Sequence, residues 1–216
     1  MSLERYVGQI KTKLLSEGID LTNAEEEMIR QGKQLLKDHG PNPATKAQAA
    51  ANAAAIMVTA AASGVNYSPV VQIIQIPETN QWRAEVVITV CTAADLDNGS
   101  ATPGEVAKAA CMYAAGNAGE AFTDHGHPLS QLYSRAKAAF FASKIDLVSG
   151  GEEIALATYW PRVTNLTQEI LAYNEEPFAT LFQALLDQEC VAAPELQNIL
   201  AMVKPVNINQ ISGRVH

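Results

Sequence analysis

The stretch TKAQAAANAAAIMVTAAASG, residues 45–64, runs straight into VNYSPVVQIIQI, residues 65–76, and this junction decides the fold. Thr45 with Gln48 three residues later is the pattern of a capping box, in which two side chains satisfy backbone N–H groups that a helix start leaves orphaned. Alanine, the best helix former, then dominates as far as Gly64, a residue suited to the left-handed turn that ends a helix. This helix carries little apolar bulk beyond Ile56, Met57 and Val58, so it must pack very closely on a neighbour. After it the composition changes. SPVVQIIQI (68–76) and QWRAEVVITV (81–90) are rich in β-branched residues and flank Pro77–Gln81. They predict a β-hairpin over about residues 69–91 with a five-residue loop. A lone hairpin is marginal in water, so it must lie on helices or on a neighbour's strand.

Working outward from this junction, helical signals dominate. Leu3, Tyr6, Val7, Ile10, Leu14 and Leu15 recur at helical spacing, and Gly18 ends that pattern. Thr22 with Glu25 opens a second helix that Gly40 and Pro41 stop. On the C-terminal side, DLDNGSA (95–101) reads as a loop. Thr102, Pro103 and Glu105 then form the clearest helix start in the chain, with proline at the first helical position. That helix extends to about Asp124, and Gly116 and Gly119 within it imply close backbone approach. Residues 129–148 form another helix, with Leu129, Leu132, Tyr133, Ala136 and Phe140 along one face. The last third contains three shorter helical patterns broken by Pro161, Pro177 and Pro194, and the tail PVNINQISGRVH (205–216) reads as extended. The expected fold is therefore mainly α with one β-hairpin. It has an N-terminal amphipathic arm over 1–20, a helical core over 21–204 and an extended C-terminal arm over 205–216.

Composition narrows the function. The chain has 216 residues, 48% apolar and only 18% charged, with a net charge of −8 and a pI near 5.0. An acidic balance argues against a freestanding nucleic-acid binder, whose footprint is basic. The charge is uneven: eight acids against two bases between Glu152 and Lys204, but four of each between Ala101 and Gly150. A local basic groove is compatible with that spread. Cys91, Cys111 and Cys190 fit neither a disulfide framework nor a zinc pattern, and their apolar surroundings predict buried free thiols. The first fifteen residues lack the apolar run of a secretion signal. No segment reaches the roughly 20 apolar residues of a membrane span. A cytoplasmic location is expected.

Chemistry-bearing motifs are few. Asp124-His125-Gly126-His127 brings two imidazoles and a carboxylate together, yet no further ligands lie at a familiar metal spacing, and a helix-terminus loop explains it more simply. Nucleotide-binding glycine loops and a nucleophile elbow are missing. Glu152-Glu153 suits the positive end of a helix. The expectation is a protein that is not an enzyme, with no cofactor, no metal, no membrane partner and no small-molecule substrate. The basic residues near the fifth helical pattern offer more. Lys144 follows Lys137 by two turns and lies on the same side, Arg135 is two residues from Lys137 and does not share that face, and Ser134 adds a hydroxyl donor. Such a set can hold phosphates without reading bases, and Tyr133, Phe140 and Phe141 offer ring faces for stacking.

The stretch IMVTAAASGVNYSPVVQI (56–73) resembles the coat proteins of flexible filamentous plant viruses of the potyvirus and potexvirus type, in which a helix ending in Met-Val leads through a Gly-containing loop to Ser-Pro and a hairpin. ACMYAAGNAGEAFTDHGHP (110–128) is similar to the family's helix before its RNA groove, and AKAAFFASKIDLV (136–148) to its Ala-Phe-Asp-Phe motif. There Phe141 stands in place of the motif aspartate and Lys137 in place of an arginine. The resemblance covers residues 22–148 in patches. It implies a virion subunit that self-assembles into a helical filament around single-stranded RNA. Arg135, Lys137, Lys144, Lys108 and Arg83, with Ser134, would contact RNA. Leu3, Tyr6, Val7 and Ile10 would dock on a neighbouring subunit. The alternative is an acidic structural subunit, of phage or cell, that does not touch nucleic acid.

Overall fold

A computed structural model describes residues 3–20, 32–34, 44–122, 128–148, 150 and 156–208. The chain is mainly helical with a small antiparallel sheet. In chain order, α1 spans Leu3–Ser16, α2 Lys46–Ser63, β1 Asn66–Tyr67, β2 Val70–Ile76, β3 Gln81–Glu85 and β4 Ile88–Thr89. The rest are α3 Ala93–Asp97, α4 Pro103–Glu120, α5 Pro128–Val148, α6 Leu156–Tyr173, α7 Glu175–Gln188, β5 Cys190–Ala192 and α8 Glu195–Leu200. Most of the second helix expected from Thr22, and the Asp124–His127 stretch, lie outside the described residues. No described helix is long and apolar enough to cross a membrane.

The caps read from the sequence form as expected. Thr45 and Gln48 close a capping box at the start of α2, with the Thr45 N–H donating to Gln48 Oε1 at 2.8 Å, and Gly64 ends the helix at φ 64°. Thr102, Pro103 and Glu105 do the same for α4. The alanine helix is packed on nearly every side: Ala50, Ala51, Ala53, Ala54 and Ala55 have no exposure at all. It lies against α4 backbone to backbone. A methyl added at Gly119 would stand 2.5 Å from the Ala51 carbonyl oxygen, so only glycine fits.

The hairpin pairs β2 with β3, from Gln72 opposite Glu85 to Ile76 opposite Gln81. Its turn is four residues, 77–80, because Asn80 takes a left-handed conformation (φ 54°) and Gln81 already pairs. The second half of the expected hairpin departs from it: β4 leaves β3 and pairs with β1 in a ladder of its own. A third strand, β5, joins the other side of β2, giving the order β3-β2-β5. That segment had read as helical, since a three-residue strand has no period to detect. DLDNGSA is likewise partly helical: Thr92 and Asp95 form a second capping box for the five-residue α3. Pro161 lies inside α6 instead of breaking it. A proline in the first turns of a helix removes few backbone bonds. The helix ending near Asp124 closes at Glu120.

The core has two apolar clusters. Val106, Cys111, Phe141, Ile145, Val163 and Ile170 centre one on α4, α5 and α6. Met57, Val58, Val71, Leu181, Leu185 and Leu196 centre the other on α2, the sheet and α7. Both chain-end segments pack on this body. Ile10 and Leu14 of α1 are buried in the first cluster, and Val7 beside them is buried too. The Val206 N–H donates to Ala62 O at 2.8 Å, and Ile208 is buried. Residues 209–216 lie outside the described part.

Candidate functional site

α5 carries the basic residues singled out in the sequence, and its helical geometry sends them to different surroundings. Lys137 faces α1. Its ammonium lies 2.6 Å from Glu17 Oε2, and the Tyr133 hydroxyl donates to the other oxygen of the same carboxylate. The Lys137 ammonium also stands 4.2 Å from the centre of the Tyr113 ring, and that of Lys13 lies 4.0 Å from the centre of the Tyr133 ring. The result is a carboxylate enclosed by two cations and two aromatic rings. Behind it Tyr113 stacks on Phe141 at 5.6 Å, which ties the seam to the core.

The electrostatics follow from this enclosure. Burial works to raise the Glu17 carboxyl, but the hydrogen bonds from Lys137 and Tyr133, with the charges of Lys137 and Lys13, outweigh it and hold the group below the usual carboxylate range. Burial works to lower Lys137, but the Glu17 hydrogen bond, Tyr113 and the charge of Glu17 together outweigh it, so the ammonium is held above its ordinary value. Tyr133 is pushed up, first by burial and then by its bond to Glu17.

Arg135, two residues away, turns to another face. Burial lowers it, the charge of Glu120 opposes that, and its Nε has no hydrogen-bond partner among the described residues. Glu120 is itself buried and accepts from Asn52 Nδ2 at 2.9 Å. Asn117, one turn earlier on α4, is half-buried, with both amide atoms enclosed and without a partner among the described residues. Lys144 lies over Phe140, 5.6 Å from the ring centre, and Ser134 is half-buried. Arg83 is on β3, paired with Glu85 at 2.6 Å, and Lys108 is on α4. The six RNA-contact candidates are therefore distributed over α5, α4 and β3.

Of the docking candidates, Val7 and Ile10 are buried in their own chain and Tyr6 is half-buried. The side chain of Leu3 lies outside the described residues. The partners of Lys137 were missed from sequence because Glu17 lies 120 residues away and only the fold joins them. Cys111 is buried and its thiol pushed up to about 12 by burial, while half-buried Cys91 is pushed up to about 11, by burial first and then by Asp95 and Glu105. Cys190, expected to be buried, is exposed because β5 is a sheet edge. Among the described residues no group of three or more His, Cys, Asp or Glu side chains is placed to hold a metal ion. No known family model matches the chain, and no curated protein matches it significantly.

Proposed function

We propose that this chain is a non-enzymatic structural subunit that assembles with copies of itself. The observation that carries the reading is a ladder of three rings that opens to solvent. Phe122, after the end of α4, packs at 5.4 Å on buried Phe178, which stacks at 6.2 Å on Phe182, yet Phe122 itself is 53% exposed. Phe178 is buried and Phe182 half-buried, so what faces solvent is the Phe122 ring, an apolar contact point anchored on the core. The sheet adds an open edge at β5, whose outward backbone groups are a template for another strand. An exposed ring and a strand edge are unlike surfaces, and unlike surfaces join copies head to tail, into rings where the rotation closes and open arrays where it does not. Phe122→Ser tests this. Light scattering and negative-stain electron microscopy are expected to show assembly by the parent chain and a strong loss in the variant, with unchanged circular dichroism. Small particles in both would sink the reading.

A second reading, a coat subunit around single-stranded RNA, draws on the α1–α5 seam. Lys137 with Lys13 beside the rings of Tyr133 and Tyr113 is the combination that holds a phosphodiester and stacks a base, and here the Glu17 carboxylate occupies it. Under this reading Glu17→Gln tightens binding to polyuridylate at low salt, and absorbance at 260 nm accompanies the filaments. Failure of both variant and parent to bind leaves the acidic subunit without nucleic acid, the account that the net charge of −8 favours.

A further inference from the structure

The β2 sequence VVQIIQI doubles its apolar residues where a sheet solvated on one side alternates them with polar ones. The register says where each residue stands. Val71 and Ile73 are buried in the cluster that includes α2. Side chains alternate along a strand, so Val70, Gln72, Ile74 and Ile76 belong to the opposite face. Residues directly across the ladders share that face: Ala192 opposite Val70, Glu85 opposite Gln72 and Arg83 opposite Ile74. Glu189, just before β5, falls on the inner side and pairs there with Lys46 of α2 at 2.7 Å. Of the described elements, β3, β5 and α2 pack on β2, and α2 takes the Val71 side.

The outer face is thus an apolar strip with one balanced pair of charges. Val70 is 38% exposed and Ala192 is exposed, while Ile74 and Ile76 are half-buried. Arg83 lies 2.6 Å from one Glu85 oxygen, and Gln72 Nε2 donates to the other at 2.7 Å. The two charges cancel, in a chain whose net charge is −8. Copies of an acidic chain repel one another where their carboxylates meet, so a face with matched charges is where they can approach. A plus and a minus two residues apart on one strand also make the face self-complementary. Turned about a two-fold axis at the level of Ala84, β3 of one copy runs antiparallel over β3 of another. Arg83 of each copy then meets Glu85 of the other.

We propose that this outer sheet face is an interface with a second copy of the chain, the two sheets packed face to face about that axis. Stacked sheets lie about 10 Å apart with interdigitated side chains, which buries the isoleucines that β2 carries on the outside. A patch that contacts itself closes as a dimer. The contact rests on the reading that copies of this chain associate, and it adds a two-fold interface to the head-to-tail one through Phe122.

Charge reversal tests it, in chains that all carry Phe122→Ser so that contacts through that ring do not mask the dimer. Sedimentation velocity is expected to show the Phe122→Ser chain as a dimer at micromolar concentration. Arg83→Glu leaves the face with two anions and Glu85→Arg with two cations. Each alone is expected to weaken dimerisation by about tenfold or more, because like charges then meet across the axis. An equal mixture of the two reversed chains brings unlike faces together and is expected to restore the dimer. Val70→Lys, which disturbs no ion pair, is expected to weaken it as well. Cys190, opposite Gln72 on the same face and exposed, serves as a reporter: its alkylation should be slower in the dimer than in the reversed chains. The interface is overturned if the Phe122→Ser chain is monomeric at high micromolar concentration, or if either reversal or Val70→Lys leaves its size unchanged. It is equally overturned if the mixture, with both chains folded by circular dichroism, does no better than either reversed chain alone. None of these changes touches Phe122, so a failure here leaves the assembly reading to be decided by Phe122→Ser against the parent chain.

Discussion

Two helix contacts in this molecule are built on opposite principles. Where α2 meets α4, the closest approach is made by Ala51, Ala55 and Gly119, a fit of shape, with one hydrogen bond from Asn52 to Glu120 beside it. Where α1 meets α5, a carboxylate on one side is enclosed by Lys137, Lys13 and Tyr133 on the other side and beside it. Ala51 and Ala55 at the first contact have no exposure. The second stands at the rim, with the Lys137 side chain 12% and that of Glu17 31% exposed. A contact made by shape responds to volume and hardly to solvent conditions. A contact made by charge tolerates volume and responds to pH and salt. The difference separates a part of the molecule that stays closed from a part that is able to open.

The largest effect is expected at the shape contact. Gly119→Val places branched carbons against the Ala51 carbonyl and Ala55, and backbone cannot yield as a flexible side chain does. Overpacking of this kind costs about 3 kcal/mol, at the upper end of the usual range. Urea unfolding should show the unfolding free energy fall by about that amount at pH 7 and pH 4 alike. Gly116→Ala presses instead on the Asn52 side chain, which can rotate away from Glu120, so its cost should be smaller. Equal costs at both glycines would mean that α2 and α4 separate easily, and the contrast with the α1 seam would fail.

How far each contact was legible in the sequence follows the same division. The alanine run, its cap at Thr45 and the paired Gly116 and Gly119 are local patterns, and they announced a close helix pair before any partner was known. The α1 seam left no such trace, because a glutamate at the end of one helix and a lysine in another have no spacing to recognise. Strand β5 was hidden for a related reason: it is three residues long and borrows its regularity from β2. The basic residues of α5 illustrate the limit most directly. Sequence placed Arg135 and Lys137 on different faces, but the fold alone decides that one meets Glu120 and the other Glu17.

The charge contact is expected to break at a lower cost and in a pH-dependent way. Glu17→Gln keeps an acceptor for Tyr133 but removes the anion, a loss of about 1 kcal/mol for a pair that water still reaches. The folded Glu17 carboxyl lies below its unfolded value near 4.3, so the anion is favoured by folding. Its contribution is present in full above that unfolded value and is lost as pH falls through the folded one. The stability gap between parent and variant should therefore be constant from pH 7 to about 5 and shrink as pH falls further, followed by urea unfolding. Hydrogen exchange should show faster opening at Val7 and Ile10 in the variant while the amides of α2 keep their protection. A gap that persists unchanged at low pH would mean that the carboxylate charge is not what holds α1.

The smallest effect sharpens the comparison by separating charge from ring. Tyr133→Phe deletes the hydroxyl that donates to Glu17 but keeps the aromatic face beneath Lys13. Its expected cost is about 0.5–1 kcal/mol, the lower part of the range for one hydrogen bond. Combined with Glu17→Gln in a double-mutant cycle, the two losses should sum to more than the pair of changes costs together, because both remove support from one carboxylate. If the hydroxyl matters only as packing, the two costs will add and the Tyr133→Phe chain will keep the full pH dependence of the parent. If it helps to hold the anion, the Glu17 titration in Tyr133→Phe will move toward the unfolded value, and the acid loss of stability, which still begins near that value, will be smaller and complete at a higher pH. That shift, read by the carboxyl carbon resonance of Glu17, distinguishes a seam held by one ion pair from a seam in which hydroxyl, ammonium and carboxylate act as a unit.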